Sequence, residues 1–395
     1  MLLGILLFLF LGILAGAVAG LIPGVHINTI SVILISFSVS LLSSINPIYL
    51  VVFISSMAIA NTFIDFIPSV FLGCPDTDTE LSVLPGHQLL KEGLGYEAVV
   101  LTCYGCIIAT FILILISFPS VLLISKIYPF LQKIIPYILI LVSLILILTE
   151  NKKFSAFLVF ILSGFLGYII LNLPQLNQPL LPLLTGLFGS SMLILSIKNK
   201  IKIPQQKITK PKINIISPLR GALIASPLCS FLPGLGSGQA AIIGNLISKT
   251  NSREFLVLLG ATNIFVMGFS FISLYVISKG RTGAAVAVSE IIGQLDTNIF
   301  ILILVIIFIS GIISFFITIF LARFFSQKVA KIKYTLLSTI TLSILIIVTF
   351  LISGFLGILV LAISTITGIY CISLNVKRTN MMGCLLIPTI IIYLF

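Results

Sequence analysis

Two proline–glycine pairs interrupt apolar parts of the chain, and polar residues follow each pair. Proline cannot donate a backbone hydrogen bond and glycine relaxes φ. Each pair should therefore end a helix and let a half-helix begin within the apolar region with unpaired N–H groups. Helix N-termini of this kind attract anions. The residues predicted to bind an anionic substrate are Pro23, Gly24, His26, Asn28, Thr29, Pro233, Gly234, Gly236, Ser237, Gly238 and Gln239.

Each pair also has a plainer explanation, a proline kink flanked by small residues that pack against a neighbouring helix. Repetition favours a substrate site, because the segment around Pro233 repeats the segment around Pro23 at an offset of 210 positions. A second match, between Asn61 and Asn263, has an offset of 202 positions. These asparagines are therefore also predicted to contact the substrate, with packing hydrogen bonds between helices as the alternative.

One acidic side chain, Asp65, lies within an apolar run. A carboxylate inside a membrane costs a few kcal/mol unless it is protonated, paired or in contact with water. We predict that Asp65 binds the coupling ion, Na⁺ or H⁺, together with Thr62. The alternative is a structural ion pair with a basic residue such as Lys279. Asp76 and Asp78, in the acidic stretch that follows, are further candidates for binding the coupling cation.

The corresponding stretch of the second copy is basic and contains Lys279 and Arg281. We predict that these cations pair with carboxylate or phosphate oxygens of the substrate. For both stretches the alternative is an ordinary solvated helix end. Apart from the coupling ion, no cofactor or metal site is predicted, because the Cys103-x-x-Cys106 spacing stands alone in an apolar span.

The composition indicates which elements position these residues. Of the 395 residues 59% are hydrophobic and 8% are charged, against roughly 25% charged in an average soluble domain. This excludes soluble enzymes, disordered proteins and nucleic-acid-binding modules. A spanning helix needs about 20 apolar residues, so we predict an all-α polytopic membrane protein with about 10–12 membrane segments. No nucleotide-binding loop is present, so transport would be driven by gradients or be passive.

Basic residues predict the topology. The stretch 198–217 is rich in lysine and has no acid, which places it in the cytoplasm as a linker between membrane repeat 1, residues 1–197, and membrane repeat 2, residues 218–395. Counting spans from this linker puts the N-terminus outside the cell membrane and an odd number of spans between the two Pro-Gly pairs. The repeats would then have inverted topology, each with a Pro-Gly-broken helical hairpin that re-enters the membrane, as in many secondary transporters.

Three motifs in the chain, Pro23-Gly24, Leu84-Pro85-Gly86-His87-Gln88 and Pro233-Gly234-Leu-Gly-Ser-Gly, resemble the TctA family. These proteins are the large membrane subunits of tripartite tricarboxylate transporters, and this sequence is most similar to the compact archaeal members. The resemblance covers most of the chain. It implies a carrier, not an enzyme, that is driven by an ion gradient and moves carboxylate anions. It also implies two partners, a substrate-binding protein and a small membrane subunit.

Two other functions stay open. The Pro23-Gly24-Val25 sequence followed by Thr29 is also similar to a signature of membrane proteins that recycle polyprenyl phosphates. The same broken helices would then hold a lipid phosphate headgroup, with membrane lipids as the partners. An intramembrane enzyme would need a nucleophile with a base, or paired acids, and the only plausible set is Asp76, Asp78 and His87.

Overall fold

A computed structural model describes residues 1–22, 45–73, 81, 83–198, 204–209, 211, 215–230, 236–329 and 334–394. Within these ranges every regular element is a helix. The elements are α1 (Leu2–Leu21), α2 (Pro47–Ile64), α3 (Phe66–Leu72), α4 (Val83–Lys91), α5 (Gly95–Leu148), α6 (Lys153–Leu171), α7 (Leu180–Leu184), a π-helical turn (Thr185–Ser190), α8 (Ser191–Lys198), α9 (Ile216–Ser230), α10 (Ser237–Ser248), α11 (Ser252–Ile277), α12 (Gly283–Ile292), α13 (Thr297–Val329), α14 (Tyr334–Ser373), a 3₁₀ turn (Arg378–Met382) and α15 (Gly383–Leu394).

Eight helical stretches in these ranges are long and apolar enough to cross a membrane. Three shorter apolar helices accompany them: Pro136–Leu148, Gly283–Ile292 and Arg378–Leu394. Helix α14 bends at Gly354, where φ is 66° and ψ is −161°. The bend divides α14 into two parts of about 20 residues, the length that one crossing needs. The prediction of an all-α polytopic membrane protein is confirmed.

The chain divides into two compact units. The first unit contains residues 1–67, 99–129 and 210–323, and the second unit contains residues 68–98, 130–209 and 324–395. Each unit therefore takes segments from both halves of the sequence. The packing units differ from the consecutive repeats that the sequence suggests, and the repeat boundaries stay a prediction.

In the first unit, α1 packs closely on α2 through glycines spaced one helical turn apart. A Cβ atom on Gly12 would overlap the carbonyl oxygen of Phe53, and one on Gly16 would overlap that of Met57. At Gly20, one turn further on, a Cβ atom would lie 3.2 Å from the backbone nitrogen of Asp65. Small residues at this spacing let membrane helices approach closely. They place the end of α1 beside Asp65.

A second close crossing in the first unit joins α5 to α11. A Cβ atom on Gly105 would overlap the carbonyl oxygen of Val257, and one on Gly260 would overlap that of Thr102. The Cys106 thiol donates a hydrogen bond to the Gly260 carbonyl oxygen, with an Sγ–O distance of 3.3 Å. The glycines therefore bring the two helices into backbone contact just before Asn263.

The second unit uses the same packing device. Helices α6 and α15 meet at Gly167, which faces the carbonyl oxygen of Cys384, and at Gly383, which faces that of Phe160. The π-helical turn packs on α14, where Gly368 faces the carbonyl oxygen of Leu187.

We expect Gly260→Ala to destabilise the protein by about 1–3 kcal/mol, the usual cost of overpacking, because the new methyl group would meet a rigid backbone carbonyl. Gly268→Ala, in the same helix, is the matched control. Its methyl group would meet the Leu113 side chain, which can rotate away, and alanine favours the helix. Thermal unfolding in detergent measures the difference. Equal melting temperatures for the two variants would contradict the close backbone crossing.

Candidate functional site

The structure describes the chain up to Ile22, the residue before the first predicted break. Helix α1 ends at Leu21, and Ile22 has extended backbone angles, φ −92° and ψ 110°. This conformation is the one that a residue preceding proline prefers. The predicted substrate residues beyond it lie outside the described residues: Pro23, Gly24, His26, Asn28 and Thr29.

The second predicted break lies between α9 and α10. Pro233 and Gly234 are outside the described residues, but the helices on either side are described. Helix α9 has 15 residues and α10 has 12, so neither reaches the length of about 20 residues that a full crossing needs. They run antiparallel in contact, because Gly221 faces Gly244 and the Ser217 hydroxyl donates to the Ser248 carbonyl at 3.1 Å.

The start of α10 contains the remaining predicted residues of this break. Gly236 is extended and the helix begins at Ser237. The Gln239 side-chain oxygen accepts a hydrogen bond from the Gly236 N–H group at 2.9 Å. Ser237, Gly238 and Gln239 are all buried. A buried helix N-terminus with polar side chains in its first turn is suited to an anion.

The repeated asparagines lie in the first unit as well. The side chains of Asn61 on α2 and Asn263 on α11 are 2% and 4% exposed. The amide nitrogen of Asn61 and both polar atoms of Asn263 are buried without a hydrogen-bond partner among the described residues. An unpaired buried polar group costs about 1–3 kcal/mol. Asparagines that served only to join packed helices would be expected to have a partner.

Asp65 lies at the junction of α2 and α3 and is 5% exposed. Its backbone N–H group donates to the Asn61 carbonyl at 3.0 Å, so the helical path continues through the junction. The Thr62 hydroxyl donates to the Ala58 carbonyl at 2.8 Å and leaves its oxygen lone pairs for a cation. The carboxylate lies within electrostatic reach of the thiols of Cys103 and Cys106 on α5. Asp76 and Asp78 lie outside the described residues.

The basic loop after α11 folds back along its own helix. The Ser270 hydroxyl oxygen accepts hydrogen bonds from the N–H groups of Arg281 and Thr282, each at 2.8 Å. The Ser273 hydroxyl donates to the Lys279 carbonyl at 2.9 Å. Ser270 precedes the end of α11 by seven residues, about 10 Å along a helix. The loop therefore brings partly buried Arg281 back along α11, whereas Lys279 stays exposed and forms no ion pair with Asp65 in the described structure.

Sequence reasoning missed Ser270, which is a single serine in an apolar helix. Its role depends on residues that follow it by more than ten positions, so no local pattern indicates it. The only signal is the cluster of small polar residues at Ser270, Ser273 and Ser278 near the end of an otherwise apolar helix.

His87, from the enzyme alternative, is buried on α4. Its Nδ1 atom lies 3.3 Å from the carbonyl oxygen of Val70. Burial, and then the positive charge of Lys91, lower the pKa of His87 from 6.5 to about 4. The imidazole is therefore neutral near pH 7. Its proposed partners in that alternative, Asp76 and Asp78, are outside the described residues.

Comparisons with known proteins agree on one family. Residues 6–383 match the family described as "Tripartite tricarboxylate transporter TctA family". An uncharacterized protein of Methanocaldococcus jannaschii is 31% identical over 406 aligned positions, which cover 98% of this chain and 99% of that protein. No solved structure matches the chain.

We expect Ser270→Ala to release the loop, because two backbone N–H groups would lose their acceptor at a cost of about 1–3 kcal/mol. Trypsin should then cleave after Lys279 or Arg281 roughly tenfold faster than in the unmodified protein. Ser273→Ala is the control, since it removes one hydrogen bond to a carbonyl and should have a smaller effect. The assignment fails if both variants are cleaved at the rate of the unmodified protein.

Proposed function

The chain belongs to the tripartite tricarboxylate transporter TctA family, and from this premise we propose that it is a secondary transporter of organic di- or tricarboxylate anions. Transport would be driven by a Na⁺ or H⁺ gradient across the cell membrane. The family is one of transporters, and the proposed cycle contains no catalytic step. The chain's multiple long apolar helices make it a multi-pass membrane protein.

One observation carries the proposal: two asparagines at repeated positions are both buried in the first unit with unmet amide groups. The side-chain nitrogens of Asn61 and Asn263 are each able to donate two hydrogen bonds, which suits the oxygens of a carboxylate. A bound substrate would supply the hydrogen-bond acceptors that these amide groups lack in the described structure. This explains why polar side chains are kept in helices that are otherwise buried and apolar.

The start of α10 supports the same site. Its first-turn N–H groups point out of the helix end, where a partial positive charge favours an anion. Gly236, Ser237, Gly238 and Gln239 would bind the substrate together with the asparagines. We propose that the residues around Pro23-Gly24 contribute in the same way from the first copy, and that Arg281 and Lys279 attract the anion.

The order of elements supports two repeats. The helical stretches Pro47–Leu72 and Ser252–Ile277 have 26 residues each. A short helix follows each one, α4 in the first copy and α12 in the second. A glycine with positive φ follows each short helix: Gly93 lies two residues after α4 and Gly293 lies directly after α12. Their φ angles are 80° and 77°, values that glycine adopts at little cost. A long helix then follows in both copies. Inverted repeats with broken helices are typical of carriers that work by alternating access.

Asp65 would couple transport to the cation. It is a buried carboxylate four residues after Asn61, beside the end of α1. Binding of Na⁺ or H⁺ would neutralise its charge and lower the electrostatic cost of an anion nearby. Thr62 would contribute its hydroxyl oxygen, and Asp76 and Asp78 are proposed to attract the cation.

The packing of the linker supports its predicted place. Within the second unit, the Gln206 side chain donates to the Leu90 carbonyl at 3.0 Å, and the Lys207 N–H group donates to the Gly93 carbonyl at 2.7 Å. The linker thus lies against the segment that contains Lys91, another residue that the positive-inside rule puts in the cytoplasm. We propose this orientation, with the N-terminus outside.

A substrate-binding protein and a small membrane subunit are the partners that the family suggests.

Uptake by purified protein in liposomes tests the site. We expect Asn61→Ala and Asn263→Ala to lower gradient-driven uptake of labelled citrate at least about tenfold, because each variant removes hydrogen bonds to a charged substrate. Ser55→Ala is the matched control, since Ser55 is also a buried side chain of α2 without a hydrogen-bond partner in the described structure. Uptake that survives both asparagine changes would refute the site. Translocation of a short-chain polyprenyl phosphate without citrate uptake would favour the lipid carrier.

The coupling role of Asp65 has a separate test. We expect Asp65→Asn to abolish accumulation driven by a cation gradient while citrate exchange between equal concentrations continues. Asp296→Asn serves as the control, because Asp296 is an exposed acid that caps α13 by accepting from the Ile299 N–H group at 2.7 Å. Unchanged cation dependence in Asp65→Asn would remove Asp65 from the mechanism.

A further inference from the structure

The second unit contains an arginine, Arg378, that is partly exposed as a residue but whose guanidinium group has incomplete hydrogen bonds. One terminal nitrogen of Arg378, Nη2, donates to the Phe188 carbonyl at 3.4 Å and to the Ser191 hydroxyl at 3.5 Å. The other two guanidinium nitrogens, Nε and Nη1, are buried and have no hydrogen-bond partner in the described structure. A guanidinium has five N–H groups in a fixed plane and suits two oxygens of one anion.

No acid of the described residues compensates this charge. Glu150 is the acid nearby, but its Oε1 atom lies 3.6 Å from Nζ of Lys377 and 3.5 Å from the side-chain nitrogen of Asn380. Glu150 is therefore engaged by neighbours of Arg378 and not by Arg378 itself. A buried cation without a counter-charge is unfavourable in a protein. A ligand that supplied the missing negative charge would remove this cost.

A second cation lies within electrostatic reach of the first. Burial, and then the charge of Arg378, lower the pKa of Lys91. His87 also faces Lys91 and Arg378 and is neutral near pH 7 for the reason given above. Lys91 and Arg378 are thus both positively charged and repel each other. They would be held together more favourably by an anion between them.

The helix opposite Arg378 supplies hydroxyl groups. It contains the π-helical turn Thr185–Ser190, and such wide turns are frequent at functional sites. The hydroxyl of Ser190, next to Ser191, is buried and makes no hydrogen bond with any described residue. Ser190 also lines an apolar cavity of about 300 Å³, together with Ile194, Leu361 and Ala362.

We propose that Arg378 and Lys91, with the hydroxyls of Ser190 and Ser191, form a binding site for an oxyanion, a phosphate or carboxylate group. The site lies in the second unit, and none of its residues belongs to the proposed substrate site of the first unit. The ligand is either a free anion or the headgroup of an anionic lipid whose acyl chain occupies the apolar cavity. Both sources present the same oxygens to the arginine.

Thermal unfolding of the purified full chain tests the proposal. We expect inorganic phosphate to raise the melting temperature relative to chloride at equal ionic strength, or phosphatidylglycerol to raise it in phosphatidylcholine nanodiscs. Arg378→Gln should lose this stabilisation, yet without the anion it should be no less stable than the unmodified protein, because it removes an uncompensated charge. Lys91→Gln, at a half-exposed position, should raise the phosphate concentration needed for half of the stabilisation about tenfold. This variant tests the proposal if Arg378→Gln does not fold.

Two controls complete the test. Lys377→Gln changes the neighbouring, mostly exposed lysine and should keep the full response. Ala362→Phe narrows the cavity. If the ligand is a lipid, phosphatidylglycerol should raise the melting temperature of this variant less than that of the unmodified protein. If the ligand is a free anion, phosphate should raise both melting temperatures equally. The proposal is overturned if neither probe stabilises the protein, or if Arg378→Gln and Lys91→Gln respond as the unmodified protein does. Because the readout is stability, its failure is separate from any failure of transport.

Discussion

Backbone hydrogen bonding within the membrane is the constraint on which the rest of this structure depends, since N–H and C=O groups have no water to bind there. An interrupted helix is tolerated only where other polar groups or a water-filled cavity satisfy the freed groups. The first unit shows two local solutions. Ser270 accepts the N–H groups of the loop that returns along α11, and Gln239 accepts that of Gly236. Each solution needs a polar side chain in an otherwise apolar setting.

The same constraint separates two kinds of polar side chain: those that form a hydrogen bond with their own helix and those that do not. Hydroxyls on these helices commonly donate to the carbonyl one turn earlier, as Thr62 does to Ala58 and Ser226 does to Ala222. Such groups are inexpensive to keep in an apolar helix. An asparagine amide has two donors and an acceptor to satisfy. Asn61 and Asn263 therefore indicate a binding role more strongly than the many buried serines and threonines around them.

Three features could be predicted from the sequence because each depends on local chemistry: the apolar helices, the end of α1 before Pro23 and the start of α10 near Ser237. Repetition identified Asn61 and Asn263 without any knowledge of their contacts. The fold-back of the loop to Ser270 could not be predicted, since it depends on contacts between residues distant in sequence. Arg378 was missed for another reason: the positive-inside rule counts a basic residue as solvated, whereas two guanidinium nitrogens of Arg378 are buried where it packs against the π-helical turn.

The two segments that match in sequence differ in charge, and this difference suits the coupled carrier proposed above. The position that matches Asp65 at the offset of the asparagines is Met267, and the acidic stretch after Asp65 matches the basic loop with Lys279 and Arg281. A carrier that couples an anion to a cation must stabilise both charges in one cycle. Two identical copies would offer both ions the same environment and would bind one of them poorly. An acid in one segment and basic residues in the other would give each ion an opposite charge nearby, while the asparagines present in both segments would bind the carboxylate oxygens of the substrate.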